Sequence, residues 1–490
     1  MFYPFVYGDL SYRCIDNPHI WNNSINQCQT RADGKTVKCS KFEYLPGEDF
    51  EDTAVAKYDL VCDKYDRKRW DLSCLMIGQM ISVIFSSMLV DYYGRKRVLQ
   101  FSTFSSIIVS ISYLFQPNFY TMCLCRIIGS TLNMSKALTT VILLTEVLPI
   151  KYVRFATSVI VSLEGLGIAL SSIYSMIFPK WQDFILYRII LLDVLMLIMA
   201  VLFLEESPKW LLQKTKYTEF KDLVAKMFKQ NNTEMPKNIQ KVLSDISVEQ
   251  DSENDGKISE VKTFLKVYML LKTKRTALRM FSISLSWIAC TIVYYALAFG
   301  KELFDINLHS YYILNGLSEI PGAITQMTLA NCLGYKWTNV VSLVSCAACL
   351  YLNYFLKSNA SWLILTYINA ACTKLFITTA TTNLYVWNAQ LVPTNLRAIG
   401  MGLGSFTGRL SSVPMPILFS YLNNIGSFLP GIVLGTVALI AGIFSLNVPE
   451  TIGNVPPDDI EEFEALGTKN YTNIKSRRIE MLTKIGEKDV

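Results

Sequence analysis

Apolar residues along this chain of 490 residues gather into long runs separated by short polar stretches. About eleven runs stand out: 71–90, 98–115, 120–144, 155–178, 183–204, 277–299, 310–330, 338–356, 361–386, 398–424 and 427–448. Most approach the ~20 residues that a helix needs to cross ~30 Å of hydrocarbon. A backbone in lipid must satisfy its hydrogen bonds within helices or a closed barrel, and these runs are too long and continuous for barrel strands. The pattern predicts an all-α polytopic membrane protein. Residues 71–204 would form one helical bundle and 277–448 a second. A polar loop at 205–276 would join them, with a cysteine-bearing segment at 1–70 and a polar tail at 449–490.

Composition agrees. Hydrophobic residues make up 51% and charged residues 18%, against about 25% charged in soluble domains. The net charge of +6 is no nucleic-acid footprint, because the cations fall in alternate loops. Arg95, Lys96 and Arg97 share one loop, Lys151 and Arg154 the next but one, and Lys469, Lys475, Arg477 and Arg478 the tail. The intervening loops hold little beyond Lys180, Lys301 and Lys357. The cation-rich side is therefore expected to be cytosolic, together with the C-terminus. Residues 1–70 then lie outside, where Cys14, Cys28, Cys39 and Cys62 would form two disulfides, with three pairings open. Asn22-Asn23-Ser24 makes Asn22 a glycosylation candidate there. No phosphate-cradling loop of P-loop spacing occurs, which argues against direct ATP use. With two histidines, His19 and His309, neither a metal site nor a cofactor is expected.

Signals recur across the central loop at a lag near 240. Gly94 is matched by Gly334 in Asn331-Cys332-Leu333-Gly334-Tyr335-Lys336. Glu146, Pro149 and Arg154 are matched by Gln390, Pro393 and Arg397, and Glu206-Ser207-Pro208 loosely by Pro449-Glu450-Thr451. Such a repeat implies duplicated halves with a binding site between them. The second half has six apolar runs and the first five, while residues 1–12 are too short and polar to span. The chain thus reads as lacking a first helix.

These residues resemble a known family. Asp91-Tyr92-Tyr93-Gly94-Arg95-Lys96-Arg97 resembles the signature between the second and third helices of the major facilitator superfamily. Arg126-Ile127-Ile128-Gly129, followed by Glu146, Pro149 and Arg154, resembles its second signature. Glu206-Ser207-Pro208-Lys209-Trp210-Leu211-Leu212 is similar to the organic ion transporters within it. So are Tyr58-Asp59-Leu60-Val61-Cys62, Glu319-Ile320-Pro321-Gly322 and Leu391-Val392-Pro393-Thr394-Asn395-Leu396-Arg397. The resemblance implies a facilitator fold of two pseudo-symmetric bundles with twelve helices, of which this chain would have eleven. It implies a plasma-membrane transporter of small organic ions, with or without a counter-transported ion. Asp91, Gly94, Arg95, Lys96, Arg97, Arg126, Glu146, Arg154, Glu206 and Arg397 would form the gate. Gly94 permits a tight connection, and Asp91 would pair with the loop's cations and with the positive start of a neighbouring helix.

Charges inside spans usually face a cavity or a partner. Here they are Arg126, Lys136, Glu164, Asp193, Glu319, Lys374 and Arg409. The organic anion branch carries a lysine at the place of Lys374 and an arginine at that of Arg409, where the cation branch has an aspartate. Two cavity cations would favour anions, the arginine by paired hydrogen bonds to a carboxylate. Glu319 and Glu164 read as structural partners. Tyr294 and Tyr295 match the family's paired tyrosines on the substrate route, and Trp287, seven residues earlier, shares Tyr294's helical face. Three departures from the family bear on transport competence and leave the fold untouched: Gln390 replaces an acidic residue, the second loop lacks the Asp and most of the cations of the first, and the missing first helix normally lines the cavity. Three functions follow: an organic anion transporter; a transporter of organic cations or carnitine-like zwitterions; or a transport-inactive membrane protein without its first helix.

Overall fold

Each apolar run becomes a helical rod in the computed structural model, which describes residues 3–8, 10–15, 28–32, 35–47, 50–233, 270–357, 362–393, 396–452, 457, 459–468 and 471. Asn22, Thr394, Asn395 and the acidic centre of the loop at 248–256 lie outside these residues, as does the side chain of Arg154. The first group of rods is α1 (Arg67–Tyr93), α2 (Arg95–Leu114), α3 (Phe119–Val147), α4 (Ile150–Ile177) and α5 (Trp181–Leu202). The second is α6 (Lys274–Phe299), α7 (Leu308–Leu317 continued by Glu319–Leu333), α8 (Tyr335–Leu356), α9 (Leu363–Leu391), α10 (Arg397–Ser412 continued by Met415–Ile425) and α11 (Leu429–Ser445). Seven of them, α1, α3, α4, α5, α6, α8 and α9, are long and apolar enough by themselves to cross a membrane. Large apolar side chains cover their outer faces: Phe101 is 69% exposed, Leu202 67% and Ile364 78%. A surface this apolar calls for lipid.

Proline explains the two broken rods. Pro321 has no N–H to offer the preceding turn, and Pro414 and Pro416 remove two more from α10. Within the first group α3 packs along α1 and α2; within the second α8 packs against α9 and α11, and α6 against α10. Between the groups, α4 meets α7 and α1 meets α10. The α4 and α7 backbones touch: a Cβ added at Gly165 would lie 2.5 Å from the Gly316 carbonyl oxygen. Nearer the disulfide-bearing end, Ser172 Oγ donates to His309 O at 3.1 Å and Ser420 Oγ to Asp66 Oδ1 at 3.1 Å. Toward the basic-loop end, Tyr152 and Phe155 of α4 stand exposed.

The disulfides join Cys14 to Cys39 and Cys28 to Cys62, one of the three arrangements the sequence left open. They tie two small antiparallel pairs, Ser11–Cys14 with Phe42–Leu45 and Gln29–Ala32 with Lys35–Lys38. The residues before them do not stay outside the bundle. Phe5, Val6 and Tyr7 are buried in its core, with the Phe5 ring 5.7 Å from Phe184 of α5 and 5.3 Å from Tyr312 of α7. That run is too short to register as a span but long enough to fill a gap between helices. The polar tail also begins with packed structure: Ile460–Ala465 lies under α6, where Arg279 donates to Phe463 O and, at 2.8 Å, to Leu466 O. In the central loop, Pro208–Gln213 and Tyr217–Gln230 are helical and bury Trp210, Leu211 and Leu223 together.

Candidate functional site

The connection between α1 and α2 turns at Gly94, with φ 99° and ψ 159°, a region essentially restricted to glycine. The turn aims the first N–H groups of α2 at Glu206. Arg95 N donates to Glu206 Oε1 at 2.8 Å, and Lys96 N to both carboxylate oxygens at 3.2 Å. Glu206 therefore takes the helix-start position that the sequence assigned to Asp91, placing negative charge where the helix is positive. Asp91 is exposed and faces Arg95 at 3.2 Å. Arg95 is buried and reaches Glu146 by two parallel bonds, Nε to Oε2 at 2.9 Å and Nη2 to Oε1 at 2.8 Å. Lys96 lies 3.9 Å from Glu205, and Arg97 is exposed. Arg397 is half-buried at the start of α10.

Arg126 is not part of this cluster. It sits near the disulfide-bearing start of α3, where Nε lies 2.9 Å from Asp71 Oδ2 and Nη2 donates to Tyr113 OH at 2.6 Å. Its partner Asp71 is completely buried, so the arginine is fixed there by the need to neutralise that carboxylate. The sequence could have paired them, since both are charges near the same ends of helices expected to be neighbours.

The second half repeats the turn. Gly334 has φ 88° and ψ 167°, and Glu450 accepts from Tyr335 N at 3.1 Å and Lys336 N at 2.9 Å. Where the first half has an Arg95–Glu146 ion pair, Gln390 Nε2 donates to Tyr335 OH at 3.3 Å.

At mid-depth, Lys374 and Glu319 are 1% and 0% exposed and pair at 2.8 Å. Tyr294 OH donates to the same carboxylate oxygen at 2.6 Å, and Lys374 Nζ lies 3.5 Å from the Tyr294 ring centroid. Lys374 is therefore not the free cavity cation expected from the sequence, because a carboxylate as buried as Glu319 needs its charge. Arg409 differs. Its Nη1 donates to Ser405 Oγ at 2.6 Å, and its Nη2 reaches Met134 Sδ in the other half at 3.3 Å. Its Nε has no partner, and among the described residues no carboxylate pairs with it. Tyr295 lies within electrostatic reach of Arg409 and donates across the halves to Gln79 Oε1 at 2.7 Å. Glu164 of α4 is exposed and within electrostatic reach of Glu319 and Lys374. Trp287 is enclosed by protein. It is 2% exposed, edge-on to Tyr385 at 4.6 Å and packed on Gly404, so α10 covers the face it shares with Tyr294. Gln79, Met134 and Ser405 went unmarked in the sequence, since neutral residues inside apolar runs carry no charge signal.

Residues 38–460 match the family described as sugar (and other) transporters. The chain belongs to this family. It is a membrane transporter of the solute carrier type and not an enzyme. The organic cation transporter protein of Drosophila melanogaster is 25% identical over 474 residues, 92% of this chain and 84% of that one. Solute carrier family 22 member 3 of Rattus norvegicus is 27% identical over 420 residues, 85% and 72% of the two chains. Organic anion transporter 3 of Oryctolagus cuniculus is 25% identical over 482 residues, 93% and 85%. Among solved structures, the inward open conformation of the xylose transporter XylE from E. coli shares the fold with a TM-score of 0.61 at 15% identity, covering 82% of this chain and 89% of that one.

Proposed function

We propose that this transporter moves small organic anions across the plasma membrane as a secondary transporter or exchanger, by alternating access of its two halves. The basic-loop end and the C-terminus face the cytosol in this reading, and the cysteine-bearing segment faces outside. One observation carries the choice of anions: Arg409 lies buried at the junction of the halves, without a carboxylate among the described residues and with Nε unpartnered. A guanidinium in that position can take a substrate carboxylate by charge-assisted hydrogen bonds. Tyr294 and Tyr295 supply aromatic walls beside it. The contacts Ser172–His309 and Ser420–Asp66 at the disulfide-bearing end, with Tyr152 and Phe155 exposed at the other, support an opening toward the cytosol. Asp91, Gly94, Arg95, Glu146, Glu206 and Arg397 are then the parts that close when the cycle reverses.

The test is uptake of a radiolabelled aromatic carboxylate or dicarboxylate into cells expressing the chain. Arg409→Asp should abolish it. Unchanged uptake by that variant, with an amine carried equally well, would defeat the anion reading. A second reading rests on exposed Glu164 and on Glu319 Oε2, which has no hydrogen-bond partner. These acidic groups suit a substrate that also carries an ammonium, such as a carnitine-like zwitterion. Competition by a quaternary amine separates the two.

A further inference from the structure

A cavity lies beside Tyr295, toward the disulfide-bearing end. It measures about 90 Å³ and is bounded by the first turns of α1, the last turn of α6 and the outer half of α10, with Tyr7 and Gly8 on one side. That is space for several waters or one small ring, by the volume a single water needs. Leu72, Phe299, Tyr312 and Phe419 make its walls largely apolar. Arg69 also lines it, although it is only 9% exposed, and its Nε is buried without a hydrogen-bond partner. No ion pair reaches this guanidinium among the described residues. Lys68 stands next to it, 6% exposed, with Nζ 3.7 Å from the Tyr65 ring centroid. The described lining offers one carboxylate, Glu302.

A guanidinium withdrawn from water and left without a counter-charge is strongly unfavourable. An apolar chamber around it adds the second half of a recognition site. We propose that this cavity is an outer binding site for a small aromatic carboxylate. Arg69 holds the carboxylate, and the ring lies among Phe299, Tyr312 and Phe419. Tyr295 lines this cavity and also stands beside Arg409, with its hydroxyl held by Gln79. One side chain thus separates two buried arginines, each with an unpartnered Nε. When the Tyr295–Gln79 bond opens, an anion leaving Arg69 has Arg409 as its next partner. The hand-over rests on the anion reading of Arg409; the outer site itself does not.

Equilibrium binding of radiolabelled benzoate to the purified full chain tests this. The unaltered protein should bind two benzoates per chain. Arg69→Gln should weaken one of the two sites by about tenfold or more, the loss of a charge-assisted contact, while Arg69→Lys keeps the charge and restores part of it. Arg409→Gln should remove the other site alone. Full two-site binding in both Arg69 variants would overturn the outer site, as would a single site abolished by Arg409→Gln. A single site sensitive to Arg69 and indifferent to Arg409 would uphold the outer site and overturn the central anion reading. Arg69→Lys preserves bulk and charge, so a folding defect confined to Arg69→Gln leaves the competing outcomes separable.

Discussion

The two halves of the molecule build the same turn and complete it with different chemistry. Gly94 and Gly334 both take a backbone conformation reserved for glycine, and Glu206 and Glu450 both accept the first N–H groups of the helix that follows. Beside this shared device, the first half places a buried ion pair, Arg95 with Glu146, and the second a neutral hydrogen bond, Gln390 to Tyr335. Tyr335 is 1% exposed, as buried as the arginine it replaces. The carboxylate on the helix start is thus the common structural requirement, and the ion pair is an addition on one side. Because desolvation offsets much of what a buried ion pair gains over a neutral contact, the added pair contributes little net stability over its neutral counterpart.

The largest expected difference follows directly. Arg95→Gln strands Glu146, whose side chain is only 11% exposed, and should cost about 3 kcal/mol. Tyr335→Phe removes its hydrogen bond with Gln390 and strands no charge, and should cost about 1 kcal/mol. Thermal unfolding of the detergent-purified variants measures both. Equal losses would show that charge makes no difference between the halves. Next come the glycines. A Cβ at Gly94 would lie 2.4 Å from Glu206 Oε2, and one at Gly334 2.3 Å from Glu450 Oε2. Each alanine variant should lose about 2 kcal/mol from backbone strain and a disturbed cap, along with most surface expression. If Gly334→Ala is tolerated and Gly94→Ala is not, the two turns are not the same device.

The spans, the glycine repeat and the matching of Glu206 to Glu450 were legible because apolar run length and a fixed lag survive divergence. The contents of the centre were not. The charges of Lys374 and Glu319 were visible, but their burial against each other depends on how α9 packs on α7, which no local pattern records. Trp287 shared a helical face with Tyr294, yet periodicity does not say that α10 covers that face at Trp287 and Thr291. Asp91 looked like the helix-capping acid because it is close in sequence. The acid that caps, Glu206, comes from 111 positions away. Phe5, Val6 and Tyr7 read as part of a polar lead because their run is shorter than a helical span.

A third variant sharpens the comparison by transplanting charge. Tyr335→Arg with Gln390→Glu should rebuild the first half's pair in the second, at a stability change within about 1–2 kcal/mol, since desolvation and attraction oppose each other. Its uptake rate is the informative reading: slowing would show that a charged link on both sides makes the halves harder to reverse, whereas unchanged uptake would leave the ion pair without a switching role.

The smallest effect bears on the shared turn itself. Lys96 and Lys336 hold equivalent places, and Glu206 and Glu450 contact their backbone N–H groups rather than their ammonium groups. Lys96 Nζ lies 3.9 Å from Glu205 with both side chains substantially exposed, and Lys336 Nζ rests 5.9 Å from the Trp337 ring centroid. Exposed pairs of this kind contribute about 0–1 kcal/mol, and alanine still supplies the N–H. Lys96→Ala and Lys336→Ala should therefore unfold within about 1 kcal/mol of the parent and transport at similar rates. A large loss in Lys96→Ala alone would mean that the loop's cations, and not its backbone, carry the first half's function. The resemblance between the two turns would then be a matter of shape only.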